Sequence, residues 1–262
     1  MAELLIKNSS VGFIKAIIFD KDGTLLNSEE YLVELAKTRI EFAVSNFKKL
    51  KIKNFKIFLL RRLLNSVYGL NNQALSANAS LAIASKEQNI ISTATIFTLF
   101  GFNWFQSLSM SQTIFDEADI FLSNNKENIQ KQRTLISGAS DLLVSLKNKG
   151  MCIALMTNDT QAGIEEFICS NKLEGIFDYL WSADNKPSKP NPKAVIELCK
   201  RMNINPSECA LISDADTDLK MARKACIPTI IGFTGGWKNP PILTEKQFII
   251  QKLNELDIQI NT

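Results

Sequence analysis

Phe19-Asp20-Lys21-Asp22-Gly23-Thr24-Leu25 sets two carboxylates two residues apart, beside a glycine that permits a sharp turn and a threonine that offers a hydroxyl and backbone N–H groups. Two carboxylates facing one pocket repel unless a cation or a shared proton relieves them, and where the ligands are all oxygens magnesium is the natural guest. Three further groups could join such a site: Thr157-Asn158, Lys189 within Ser188-Lys189-Pro190-Asn191-Pro192, and Asp214 with Asp218. Each has a plain structural reading on its own. D-x-D-G occurs in ordinary turns, Thr-Asn after a strand is a helix cap, Lys-Pro starts a helix, and an Asp pair four apart is a cap and a solvated face. Asp216 is expected to serve only as such a helix-start acid. The chain contains no histidine, which removes the usual general base, the Ser-His and Cys-His nucleophile pairs and the commonest zinc ligand together. Its chemistry therefore rests on carboxylates, lysine or metal-bound water.

The elements around these residues explain why they should meet. Phe13 to Phe19 reads as a short buried strand that ends abruptly at Asp20. From Ser28 to about Arg133 the apolar spacing becomes helical, as in Tyr31, Leu32, Leu35 and Ile40, then Phe55, Phe58, Leu59 and Leu63, with no alternating strand. Beyond Arg133 strand and helix signals alternate: helix 139–149, strand 152–156, helix 160–171, strand 177–181, helix 192–202, strand 209–212, helix 219–224 and strand 228–231. Alternating βα units predict a parallel sheet with right-handed crossovers. Ligands bind beyond the carboxyl ends of such strands, where Asp20/Asp22, Thr157-Asn158 and Asp214 all fall. The fold expected is α/β, a Rossmann-like parallel sheet core formed by 1–27 and 134–262, with an inserted all-helical cap formed by 28–133.

Composition narrows the classes. The 30 basic and 27 acidic residues leave a net charge of +3, so neither a nucleic-acid partner nor a membrane is expected, and any basic site must be local. The N-terminus reads as no signal peptide, and the most apolar stretch, 90–105, is too short and interrupted to span a bilayer of about 20 residues. Five cysteines without C-x-x-C spacing read as reduced core residues of a cytoplasmic protein.

In this order and context the motifs resemble those of the haloacid dehalogenase superfamily. D-x-D-G-T-L resembles its first motif, Thr157 its second, Lys189 its third and Asp214/Asp218 its fourth. The tail, Ile231-Gly232-Phe233-Thr234-Gly235-Gly236-Trp237 followed by Phe248 to Leu256, is similar to the closing strand and helix of the phosphoglycolate-phosphatase-like members. The sequence departs from the pattern at Ser213 and Cys226, where glycine is common, and at Ala215, where a hydroxyl residue is common. The resemblance implies a magnesium-dependent phosphatase acting on a small phosphorylated metabolite through an aspartyl phosphate. Asp20 would be the nucleophile and Asp22 the general acid and base. Thr157, Asn158 and Lys189 would bind the phosphate, Asp20 and Asp214 through their carboxylates and Asp22 through its backbone carbonyl would hold Mg2+, and Asp218 would orient Lys189 or a metal-bound water. The same core would serve a phosphosugar mutase, or a catalytically silent binding protein of the same fold. A homo-oligomer is compatible with the sequence. Phe97, Phe100, Phe102, Trp104 and Phe105 are expected to form the cap's own core, the alternatives being a substrate-pocket lining or a subunit contact, and no role is assigned to Arg61 or Arg62.

Overall fold

The computed structural model describes residues 1–71, 74–124 and 133–260. The chain divides into two compact units, Met1–Asn27 with Thr134–Thr262, and Ser28–Arg133. The first unit opens with β1 (Ala2–Ile6) and β2 (Ser9–Ile14), an antiparallel pair joined through Lys7 and Asn8, both in the left-handed region. That two-residue geometry matches the twist of the strands it connects. β3 (Ala16–Phe19) and the short β4 (Leu26–Asn27) follow.

The second unit contains α1 (Glu29–Lys49), α2 (Asn54–Tyr68), α3 (Ser80–Ile83), α4 (Lys86–Thr98) and α5 (Trp104–Ser123). It is not wholly helical. β5 (Leu70–Asn71) pairs antiparallel with β6 (Ala74–Leu75), beginning where Gly69 ends α2 in a left-handed conformation. Ser85 and Asn103 each form a reciprocal capping box at the starts of α4 and α5. The interior is built from one stripe per helix: Ile57, Leu60, Leu64 and Tyr68 on α2, for example, recur at helical spacing and are buried.

Back in the first unit, β7 (Thr134–Leu135) pairs antiparallel with β4. Then come α6 (Ala139–Asn148), β8 (Cys152–Met156), α7 (Gln161–Ser170), β9 (Tyr179–Trp181), α8 (Pro192–Met202), β10 (Cys209–Ser213), α9 (Asp216–Lys224), β11 (Thr229–Phe233), β12 (Phe248–Ile250) and β13 (Leu256–Ile260). Six strands form one parallel sheet in the order β12-β11-β10-β3-β8-β9. Successive residues feed opposite faces: Ile17, Phe19, Ile153, Leu155 and Ile212 enter one core, Ala16, Ile18, Ala154, Met156 and Leu211 the other. With both faces covered, these strands read as continuous apolar runs. The α/β, Rossmann-like class expected from the sequence is the one observed.

Besides the hairpin in the insertion, three details differ from expectation. The tail after β12 closes not as a helix but as β13, which joins β1 and β2 in a separate three-stranded antiparallel sheet; Leu256 and Ile258 alternate inward while Asp257 and Gln259 point out, the two-residue period of a strand. Cys199 and Cys209 are buried, but Cys169 and Cys226 are exposed. Asp216 does more than start α9, since its carboxylate accepts the backbone N–H groups of Thr244 and Glu245 and the Thr244 hydroxyl.

Candidate active site

β3 hydrogen-bonds to β10 on one side and β8 on the other, with Phe19 opposite Ile212 and Leu155. All three run the same way, so the residues that follow them share one edge of the sheet. The apolar run of β3 stops at the fully buried Phe19. Asp20 then continues the ladder for one more bond, its N–H donating to the Ile212 carbonyl at 3.0 Å. Its carboxylate accepts from Lys189 Nζ at 2.6 Å, and the same ammonium donates to Asp218 at 2.5 Å. Lys189 is brought there by the turn before α8, which Asn191 caps and Pro192 begins. Its burial would push the ammonium's pKa down. The charges of Asp20 and Asp218 outweigh that and hold it above the ordinary lysine range. Ser213, one of the departures from the family pattern, donates its hydroxyl to Asp218 Oδ2 at 3.0 Å and accepts the Ala215 N–H. Cys226, another, adopts φ +63° just after α9, the conformation for which glycine is the usual choice.

Asp214 stands at the end of β10, buried. Thr24 Oγ1 donates to its Oδ1 at 2.9 Å and Trp237 Nε1 to its Oδ2 at 2.5 Å, while its own N–H donates to Thr24 Oγ1 at 3.1 Å. Gly23 makes this possible. Its φ is +77°, and a β-carbon there would lie 2.2 Å from Asp214 Oδ2 and 2.5 Å from Trp237 Nε1. A β-carbon on Gly236 would in turn stand 2.0 Å from the Gly23 carbonyl oxygen, so two backbones touch and carry Trp237 to the acid. Burial raises the pKa of Asp20 to about 6, with Lys189 opposing and Asp218 and Asp22 adding to the rise. Burial first, and then the charge of Asp20, push Asp214 well above the usual carboxylate range.

Two acids whose ionised forms are this costly fit a cation, and their hard oxygen donors suit magnesium. Among the described residues no three His, Cys, Asp or Glu side chains are gathered into a metal cage. The Asp22 carboxylate lies 3.2 Å from the ammonium of Lys21; the donors expected for the cation are the Asp20 and Asp214 carboxylates and the Asp22 backbone carbonyl.

Lys21 was not anticipated. It is fully buried and pairs with both Asp22 and Asp159, a contact that ties the loop after β3 to the loop after β8. A charged residue between the two acids of D-x-D was the available signal, since a lysine at a buried turn needs partners. Trp237, two residues beyond Thr234-Gly235, was readable only as part of the tail. Thr157 is buried at the end of β8, where its hydroxyl accepts the Asp159 N–H at 3.1 Å. Asn158 follows it, half-buried, and Thr160 caps α7.

Against this geometry, residues 14–225 match the family model of haloacid dehalogenase-like hydrolases. The chain belongs to that family. This hydrolase is 24% identical over 250 residues to a phosphoglycolate phosphatase of Colwellia psychrerythraea, a match that covers 94% of this chain and 96% of the relative. Several other curated relatives are spanned over only about half of their own length. Among solved structures, a predicted phosphoglycolate phosphatase from Haemophilus somnus superposes with a TM-score of 0.63 at 18% identity, covering 93% of this chain and 96% of that one. A β-phosphoglucomutase from Clostridium difficile gives 0.57 at 18% identity, with 93% of each chain covered. At such identities the two structures speak for the fold, a Rossmann-like core with a cap.

Proposed function

We propose that this hydrolase is a magnesium-dependent phosphatase that cleaves a small phosphomonoester through an aspartyl phosphate on Asp20, with 1–27 and 134–262 as the catalytic core and 28–133 as its cap. The observation that carries the reading is the pairing of Asp20 with Lys189 at 2.6 Å, at the same strand edge as Asp214. A nucleophilic carboxylate needs a nearby cation if it is to meet a phosphate dianion, and Lys189 holds a full positive charge against it. Asp20 attacks phosphorus, forming an O–P bond as the ester P–O bond breaks, and Asp22 gives its proton to the departing alkoxide. Asp22 then takes a proton from the water that attacks the acyl phosphate, which releases inorganic phosphate and restores Asp20. Lys189, Thr157, Asn158 and the backbone N–H groups of residues 20–24 offset charge on the phosphoryl oxygens. Asp218 and Ser213 fix the ammonium of Lys189. The carboxylates of Asp20 and Asp214 and the backbone carbonyl of Asp22 would hold magnesium, which supplies the further positive charge that lets one anion approach another.

The match to a phosphoglycolate phosphatase along nearly the whole chain supports a small, anionic phosphomonoester as substrate and puts 2-phosphoglycolate first on a test panel. Phosphate release with magnesium is the measurement, and Asp20→Asn should abolish it. Substantial turnover by that variant would refute the assignment of Asp20. Isomerisation of a sugar phosphate without phosphate release would replace the phosphatase by a mutase, and silence across a broad panel would favour a binding protein.

A further inference from the structure

Net charge conceals a strong local asymmetry in the helical unit. Lys48 to Arg62 carries five lysines and two arginines without one acid, interleaved with large apolar residues. All five lysines are exposed. Arg61 is neutralised by Glu41 across a two-pronged ion pair, and Arg62 lies over the Phe58 ring, which leaves the lysines as the unspent charge. Lys48 and Lys49 suit the carboxyl end of α1. Lys53 and Lys56 do not suit their place, because they flank the amino end of α2, whose first turn contains no acid, and there they oppose the helix dipole.

The apolar surface has the same location. α2 already buries one stripe, yet Phe55 is 75% exposed, and Phe58 and Leu59 are exposed beside it. At the α4–α5 turn Leu99 is 70% and Phe105 81% exposed, with Trp104 between them also at the surface. The expected aromatic core 97–105 is thus split: Phe97, Phe100 and Phe102 pack round Phe47 at ring separations of 5.2 to 5.5 Å, whereas Trp104 and Phe105 turn outward. Because Phe47 sits in the last turn of α1, those contacts place the α4–α5 turn beside the α1–α2 turn. One end of the unit therefore presents both sets. It is the end remote from Ser28, where the chain enters, by the 21 residues of α1, about 30 Å at 1.5 Å per residue.

We propose that this end of the helical unit docks on an anionic lipid bilayer, its aromatic and leucine side chains entering the headgroup boundary and its lysines facing the lipid charges. Protruding apolar side chains ringed by lysine are the composition that binds such interfaces. The residues form the ends of helices, and among the described residues no helix is long and apolar enough to cross a membrane, so the chain would lie on the surface. A second copy fits less well, since a two-fold contact would set one acid-free lysine cluster against its twin. Single-stranded nucleic acid could stack on Phe55, Phe58, Trp104 and Phe105, but it fits less well because it would leave the exposed Leu50, Leu59 and Leu99 without an apolar partner. The inference is independent of the reaction catalysed.

The full chain should sediment with vesicles of equal parts phosphatidylcholine and phosphatidylserine, not with phosphatidylcholine alone, and should be released by high salt. At about 1 kcal/mol per basic residue near an anionic surface, Lys51→Gln with Lys53→Gln should weaken binding about thirtyfold. Phe55→Ser with Phe58→Ser should also weaken it, with helical circular dichroism and hydrolysis of a soluble ester retained. Absence of vesicle binding, binding indifferent to phosphatidylserine, or full binding by both variants would overturn the proposal. So would self-association, or capture of a single-stranded oligonucleotide, that depends on these residues while vesicles are ignored.

Discussion

Gly23→Ala tests whether the turn after β3 and the acid of β10 are built as one object. The substitution carries two separable costs. The first is conformational: an L-residue at φ +77° loses roughly 1–2 kcal/mol relative to glycine. The second is steric, because the new methyl would stand 2.2 Å from Asp214 Oδ2 and 2.5 Å from Trp237 Nε1. Neither neighbour is the loose end of a flexible side chain. Asp214 is buried and gripped by Thr24 and Trp237, so moving it sacrifices at least one hydrogen bond to a charged group, about 1.5–3 kcal/mol. The sum is about 2.5–5 kcal/mol. Gly150→Ala is the control, in the same unit at φ +71° with no atom within 4 Å of its would-be methyl, and should show the conformational cost alone. Urea unfolding of both variants gives the difference, and phosphate release from a small ester reports the displaced acid, expected to fall at least a hundredfold in Gly23→Ala only. Equal stability loss in the two variants, with hydrolysis intact in Gly23→Ala, would show that the Gly23–Asp214–Trp237 packing does not govern the site.

Two further predictions concern its charges. Lys21 is fully buried while the side chains of Asp22 and Asp159 keep 25% and 30% of their exposure. Asp159→Ala, which strips one of two partners from a buried ammonium, should therefore cost more, about 1.5–3 kcal/mol, than Lys21→Met, which leaves two acids that can reach water; urea unfolding with the reverse order would refute the pairing as drawn. Magnesium at a hundred times its dissociation constant should stabilise the folded chain by about 2.7 kcal/mol, read as a rise in melting temperature, and Asp214→Asn should erase that rise. A rise of the same size in Asp214→Asn would move the metal elsewhere.

The parallel sheet was legible because its strands are buried on both faces and so appear as uninterrupted apolar runs between helical periods; 152–156 and 192–202 are found at the expected bounds. The outer antiparallel sheet was not. β13 alternates buried and exposed over only its first four positions, and Leu253 and Leu256, three residues apart, suit a helix until β1 is there to pair with the segment. The insertion's short hairpin escaped for the same reason, each strand being two residues long. Local pattern carries an element only when that element buries enough surface within its own length.

A different limit applies to the candidate site. Residues that ionise or bind phosphate are conspicuous by type, and Asp20, Lys189, Asp214 and Asp218 could be named before any coordinates. The groups that hold them are not conspicuous. Trp237 reads only as part of the tail, Thr24 as a turn residue and Ser213 as a missing glycine, yet Trp237 and Thr24 donate to Asp214 and Ser213 donates to Asp218. Each reaches its acid only because strands distant in sequence end at one edge. Lys21 shows the limit most clearly: between two acids in sequence it suggests a local ion pair, but its second partner is Asp159, 138 residues away. The buried charge at the centre of the first motif is therefore balanced by the loop of the second, and a variant at either position should be felt at both.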